Sequence, residues 1–310
     1  MLRQLRKRIK QGLGREYRIR YRLLKASVSP TAILARYRTG TVVVSYPKCG
    51  RTWMRLVVSQ ALALRFGIED VDYLADDVLG SVANSSPRIR FSHDDSPQWK
   101  PANRLETSKR RYRRKNVVLL ARDPRDTVVS MYFERTRREQ AYSKSLHEFL
   151  REPKGSIDTI IRYYNIWAHE RSVPRQLCLV RYEELRAEPA NQLRRILNFV
   201  GVDNVRDEHI DEAVRFSSFD NMRKMERDDE LGSGRLRARD KNDEESYKTR
   251  RGKVGGYADY LSRENILWLD DRLTQKLDPY YGYGPTPRKS IPSSNAASVP
   301  VGSLPDSRTR

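Results

Sequence analysis

Thr41-Val42-Val43-Val44-Ser45-Tyr46-Pro47-Lys48-Cys49-Gly50-Arg51-Thr52-Trp53 is the stretch on which the fold of this chain turns. Three successive valines are apolar on both faces, as a strand buried inside a parallel sheet must be. Pro47 ends the run, because it has no N–H to give to a neighbouring strand. The segment Trp53 to Phe66 continues as a helix. A strand, a loop with Gly50 at its bend and a helix together turn backbone N–H groups and the positive helix end toward an anion. Lys48 adds a full positive charge. The loop is not a Walker A motif, which needs G-x-x-x-x-G-K-[ST]; here the Lys precedes the Gly by two residues. An ordinary strand-to-helix turn would look the same if this stretch stood alone.

A second unit of the same kind begins at the apolar run Val117 to Ala121 and continues as Arg122-Asp123-Pro124-Arg125-Asp126-Thr127-Val128-Val129-Ser130. Arg122 falls at the carboxyl end of a strand, and Ser130 lies about two turns into the next helix, so both can reach one anion beside the first loop. The plainer alternative has Arg122 pairing with Asp126. Arg88 to Ser92 and Leu177 to Arg181 are further extended runs, and the segments between runs are long enough for crossover helices. This alternation implies an α/β fold, a P-loop NTPase-like parallel sheet of about four to five strands with helices on both faces. Ligands of such sheets bind at the carboxyl ends of the strands. The expected helices are Thr127 to Arg138, Leu146 to Arg151 behind the capping box Ser145 and Glu148, Ile157 to Glu170, Asn191 to Val200, and Arg263 to Leu277 behind Ser262.

Composition narrows the class. With 310 residues, 38% apolar and 33% charged, the chain can bury a sizeable core. The excess of 61 Lys and Arg over 40 Asp and Glu gives +21, and it is localised. Residues 1–38 hold twelve basic residues against Glu16 alone, residues 100–115 hold eight against Glu106, and residues 285–310 hold four against Asp306. These three segments account for the whole net charge, so anionic partners are expected at particular surfaces. Cys49 and Cys178 are too few for a disulfide framework. No apolar run reaches the ~18 residues of a spanning helix. The N-terminus lacks a signal-peptide apolar core, so the expected compartment is the cytoplasm. Within the first 28 residues Leu2, Leu5, Ile9, Leu13, Tyr17, Tyr21, Leu24 and Val28 form one amphipathic stripe among Arg and Lys. Such a stripe suits a peripheral position on an anionic membrane or polyanion, or packing against its own domain or a second subunit. Residues 223–251 carry eighteen charges in twenty-nine positions and are expected to form a mobile surface loop. Residues 284–310, with five Pro and six Ser, are expected to be a disordered tail. The basic run at 100–115 precedes a strand, which places it at the sheet edge opposite the ligand as a solvated or partner-binding face.

Taken together and in order, these segments resemble the sulfotransferase family, whose donor is 3′-phosphoadenosine 5′-phosphosulfate (PAPS) and whose product nucleotide is PAP. The family loop reads approximately YPKSGTTW, matched here at Tyr46, Pro47, Lys48, Gly50, Thr52 and Trp53, with Cys49 and Arg51 as departures. The resemblance runs over about residues 41–283, leaving 1–40 as a basic extension. It implies that Lys48, Cys49, Gly50, Arg51 and Thr52 surround the 5′-phosphosulfate, largely through backbone groups, and that Trp53 contacts the adenine with Tyr182 and Phe219. Arg51 is expected to alter the acceptor side. The resemblance assigns Arg122, Ser130 and the element Arg250-Arg251-Gly252-Lys253-Val254-Gly255 to the 3′-phosphate. Tyr182, Ser217 and Phe219 fall in segments like the family's adenine-side elements.

The implied chemistry moves a sulfuryl group from PAPS to a hydroxyl or amine acceptor, in line and without a metal. Lys48 is then the cation that stabilises the departing phosphate. His93 falls where cytosolic family members carry their catalytic base, and Glu69 is the rival base; a surface His beside Asp94 and Asp95 is the plain alternative. His147, His169 and His209 lie on expected helices without metal-ligand spacing and read as structural or solvated. Two other functions stay open. A nucleotide kinase would need a Mg²⁺ loop and an acidic partner. A basic nucleic-acid-binding P-loop protein would fit the charge, though no sequence-specific nucleic acid is expected.

Overall fold

The computed structural model describes residues 40–69, 71–78 and 87–284. The amphipathic stripe within residues 1–38 and the tail beyond Gly284 lie outside them. The valine run forms strand β1 (Thr41–Ser45), buried along its whole length. Helix α1 (Arg51–Phe66) follows. Gly50 opens it at φ 92°, a left-handed conformation in which a side chain is strained. Next come a two-residue strand β2 (Asp77–Val78), β3 (Ile89–Ser92), β4 (Asn116–Ala121), α2 (Pro124–Phe133), α3 (Leu146–Leu150), α4 (Ile157–His169) and β5 (Gln176–Arg181). Beyond them lie α5 (Tyr182–Ala187), α6 (Pro189–Phe199), α7 (Asp207–Phe216), α8 (Phe219–Asp228) and α9 (Arg263–Lys276).

The sheet order is β2-β3-β1-β4-β5. Strands β3, β1, β4 and β5 run parallel, with Val43 standing between Phe91 and Val118. The α/β sheet expected from sequence is present. Its antiparallel edge β2 is an addition, too short to leave a periodic signal. From β1 the chain crosses through α1 to β3 on one side, and from β4 it crosses through α2 and α4 to β5 on the other. Right-handed crossovers running in opposite directions put α1 and α4 on opposite faces of the sheet. The direction reverses between β1 and β4. A crevice opens at that switch point, and there the Tyr46–Gly50 loop and Arg122 stand side by side.

Three expectations need correction. Helix α2 begins at Pro124 rather than Thr127, because the Asp123 side chain accepts the Arg125 N–H and Pro124 occupies the first turn, where it gives up no hydrogen bond. It ends in a π turn over Glu134–Arg138. The charged segment 223–251 is folded rather than a surface loop. Its first residues complete α8, and Leu236 packs with Leu56, Leu74, Met222 and Met225 in a second small core. Glu226 in this segment is fully buried and accepts from the Lys248 and Thr249 N–H groups. The basic run 100–115 is not wholly solvated either, since Lys109 is buried and pairs with buried Asp94 at 2.8 Å. The caps expected at Ser145 with Glu148 and at Ser262 are formed. Among the described residues no helix is long and apolar enough to cross a membrane.

Candidate functional site

One cleft gathers Lys48, Gly50, Arg51, Thr52, Trp53, His93, Arg122, Ser130, Tyr182, Ser217, Phe219, Arg250, Arg251 and Gly252. These positions come from six separated stretches of chain. Cys49 is the exception among the expected site residues. Its side chain is fully buried, with Sγ 3.3 Å from the Tyr164 hydroxyl, and burial pushes the thiol up to about 11. Only the Cys49 backbone belongs to the loop. Glu69 is exposed and outside the cleft, as are His147 and His169, and half-buried His209 also lies outside it.

Two glycines shape the cleft. A Cβ on Gly50 would stand 2.6 Å from Tyr182 Cδ2, and one on Gly252, itself at φ 60°, would stand 2.5 Å from Phe219 Cδ2. Each glycine therefore lets backbone lie flat against an aromatic ring. Trp53 meets Tyr182 edge to face at 5.7 Å, so aromatic surface continues along this wall. The Arg122 guanidinium lies 4.4 Å above the Tyr182 ring and donates to the Lys48 and Lys253 carbonyls. Its Nε is buried and has no hydrogen-bond partner among the described residues. Arg122 also pairs with Asp126 at 3.5 Å, so the plainer sequence alternative holds alongside its place in the cleft.

Buried carboxylates fix the later element in place. Asp126 on α2 accepts the Gly255 and Tyr257 N–H groups at 2.9 Å each, which holds the turn after Arg250–Gly252 against the helix that carries Ser130. Glu226 holds Lys248 and Thr249 from the other side. Arg250 donates to Glu245, and its guanidinium lies 4.4 Å from the Phe133 ring centre. Ser217 is buried with its hydroxyl donated to the Ala213 carbonyl, so it contributes shape more than a free donor.

At the centre, Lys48 sits at φ 73° and donates to Glu134 at 2.7 Å. Burial pulls the Lys48 pKa down to about 8, against the pull of Glu134 upward. Glu134 also accepts from Lys248 at 2.8 Å and pairs with Arg138 at 3.4 Å, and these cations hold its carboxyl far below the usual range despite its burial. His93 Nδ1 stands 3.0 Å from the Ser45 carbonyl. A carbonyl only accepts, so Nδ1 carries the proton and Nε2 keeps a lone pair. Burial, followed by the charge of Arg51, holds the His93 pKa well below 6.5. The imidazole is neutral at pH 7. Sequence reasoning missed Glu134, Lys248 and Glu226, whose roles depend on partners 114, 22 or 23 positions away. The one available signal was local, since Glu134 follows Ser130 by one helical turn.

Residues 38–280 match the sulfotransferase domain family. Among characterised relatives, cytosolic sulfotransferase 17 of Arabidopsis thaliana is 25% identical over 267 residues, covering 76% of this chain and 73% of that protein. Cytosolic sulfotransferase 5 of the same plant is 24% identical, covering 77% and 80%. In fold, the chain is similar to mouse sulfotransferase SULT7A1 complexed with PAP, with TM-score 0.54, 19% identity and coverage of 77% of this chain and 84% of that one. It is also similar to retinol dehydratase in complex with androsterone and inactive cofactor PAP, with TM-score 0.52, 17% identity and coverage of 77% and 80%.

Proposed function

Since this chain belongs to the sulfotransferase family, we propose that its cleft binds PAPS and that Lys48 and His93 carry the transfer of the sulfuryl group to a hydroxyl or amine. The observation that carries this reading is the meeting of Lys48, His93 and Arg122 in one cleft above β1, β3 and β4. The family match also favours sulfuryl transfer over the nucleotide-kinase and nucleic-acid readings. The residues fit the donor. Arg122 offers a buried Nε without a partner, Ser130, Arg250 and Arg251 stand on the same side, and Gly50 and Gly252 leave flat surfaces beside Tyr182 and Phe219. Arg122, Ser130, Arg250, Arg251 and Gly252 take the 3′-phosphate, while the N–H groups of Gly50, Arg51 and Thr52 take the 5′-phosphosulfate. Trp53, Tyr182 and Phe219 take the adenine, with Ser217 behind them.

In the reaction the acceptor oxygen forms a bond to sulfur as the bond from sulfur to the bridging oxygen breaks. The acceptor proton passes to His93 Nε2, and the released electron pair stays on the 5′-phosphate, giving PAP. Lys48 stabilises that developing charge. Glu134 positions Lys48 and keeps it protonated near neutral pH. The cytosolic relatives support a cytoplasmic enzyme, and the charge of residues 1–38 supports an additional hold on an anionic surface.

The test is transfer from labelled PAPS into a mixed acceptor library, read by mass spectrometry. His93→Ala should lower the rate about 10²-fold or more with PAP affinity unchanged, and Glu69→Gln should leave the rate unchanged. Loss of turnover in Glu69→Gln with retention in His93→Ala would move the base to the carboxylate.

A further inference from the structure

The Arg51 side chain is left unused by the donor reading, which needs only its backbone N–H. It lines the cleft, yet among the described residues it makes no hydrogen bond or ion pair. The charged and polar groups that act on it most are Arg55, Asp76, Arg235 and Tyr163. Arg55, one helical turn onward, is 1% exposed and lies 4.7 Å over the Phe91 ring. It reaches Asp76 at 3.4 Å and keeps a buried Nε without a partner. Arg235 arrives from the folded segment after α8 and pairs with Asp76 at 2.7 Å.

Among the described side chains, the charges on this β3 side do not balance. Asp76 is shared between Arg55 and Arg235, and Asp72, which also acts on Arg55, accepts the Leu74 N–H. Among the described side chains, three guanidiniums facing two carboxylates leave one positive charge over, and for Arg55, with its side chain 2% exposed, burial makes charge costly. Burial and the like charges of Arg55 and Arg235 push the Arg51 pKa down to about 9, still protonated at pH 7. His93 stands within reach of both Arg51 and Arg55. Gln98, following β3, lines the same cleft with a buried Oε1 that no donor among the described residues meets. Sheet order puts this wall on the β3 side of the loop, whereas Arg122 and Ser130 follow β4 on the other side.

We infer that Arg51, Arg55 and Arg235 form an anion-binding subsite for the acceptor, so that the acceptor class is a hydroxyl compound carrying a carboxylate, phosphate ester or sulfate ester. Planar guanidinium forks match such groups in two-point hydrogen bonds, and a ligand anion supplies the counter-charge this wall lacks. Held there, the acceptor directs its hydroxyl toward His93 Nε2, with Gln98 Oε1 open to a second hydroxyl. This inference rests on the sulfuryl-transfer reading of the same cleft.

Inorganic phosphate titrated into protein saturated with PAP tests it by calorimetry, because PAP fills the donor side. Saturable phosphate binding is expected, weakened about tenfold or more by Arg51→Gln and by the more accessible Arg235→Gln. Binding should survive in Lys48→Ala, and the PAP affinity of Arg51→Gln should stay within about threefold of the parent. Three results would overturn the subsite: no phosphate binding to PAP-loaded protein, loss in Lys48→Ala with retention in Arg51→Gln, or a fall in PAP affinity that matches the fall for phosphate. If PAP itself does not bind, the donor reading fails separately. The same titration without PAP then judges the three arginines, with loss in Arg51→Gln expected and loss confined to Arg122→Ala contradicting them.

Discussion

The two ends of the cleft are built on different principles. On the β4 side the cations are already held by the protein: Arg122 by two carbonyls, the Tyr182 face and Asp126, and Arg250 by Glu245 and the Phe133 ring. Buried Asp126 and Glu226 fasten the segment that carries Arg250. On the β3 side Arg51 is unpaired among the described residues, and Arg55 and Arg235 share one close carboxylate. A site whose donors are fixed before binding suits one invariant ligand, since little ordering remains to be done when it arrives. A wall with surplus charge suits a ligand whose charge completes it. The difference teaches that the two walls, one on each side of a single strand-loop-helix and separated by Lys48 and His93, are suited to different tasks, the proposed donor side and the inferred acceptor side.

The largest break in this contrast should come from the glycines. Gly50→Ala and Gly252→Ala each place a methyl inside 3 Å of an aromatic ring and strain a left-handed backbone. Strain of about 1–2 kcal/mol together with overpacking of similar size should lower both the melting temperature and PAP affinity, the latter by tenfold or more. Gly67→Ala has the same left-handed strain at φ 65° but meets nothing within 4 Å, so it should lower the melting temperature and leave PAP affinity alone. Equal PAP affinities across the three variants would show that the aromatic contacts do not shape the donor side.

A smaller effect sharpens the view of the centre. His93 accepts a proton only when neutral, so activity is present above its pKa and lost as pH falls through it. With that pKa held well below 6.5, the acid limb of kcat/KM belongs below 6.5. Lys48 acts only when protonated, so activity is lost as pH rises through about 8. Glu134→Gln removes the carboxylate that raises the Lys48 pKa, and the alkaline limb should move to lower pH with the acid limb nearly fixed. A pH profile in which the acid limb moves instead, or neither limb moves, would separate Glu134 from Lys48.

What sequence made legible follows from the range of the interactions involved. The Val42–Val44 run, Pro47, Gly50 and the caps at Ser145 and Ser262 act within a few residues, and each is formed as expected. The cap at Asp123 was equally local, but the apolar start at Thr127 drew the helix boundary three residues late. The fold of 223–251 was hidden because its charges looked solvated. Only the tertiary structure brings buried Glu226 to the Lys248 and Thr249 N–H groups and Arg235 to Asp76 across 159 positions. Arg51 was visible as a departure from the family loop. Its surplus charge was not, since that depends on Arg55, Asp76 and Arg235 meeting around it.

Calorimetry of PAP against AMP, in the parent protein and in Arg122→Ala, tests the donor cleft most directly. The two nucleotides differ only in the 3′-phosphate, which the proposed function assigns to Arg122, Ser130, Arg250 and Arg251. Two charge-assisted hydrogen bonds of about 1.5 kcal/mol each correspond to a preference for PAP of about 100-fold in the parent. Arg122→Ala should remove most of that preference while changing AMP affinity little. Equal affinity of the parent for PAP and AMP would contradict the account.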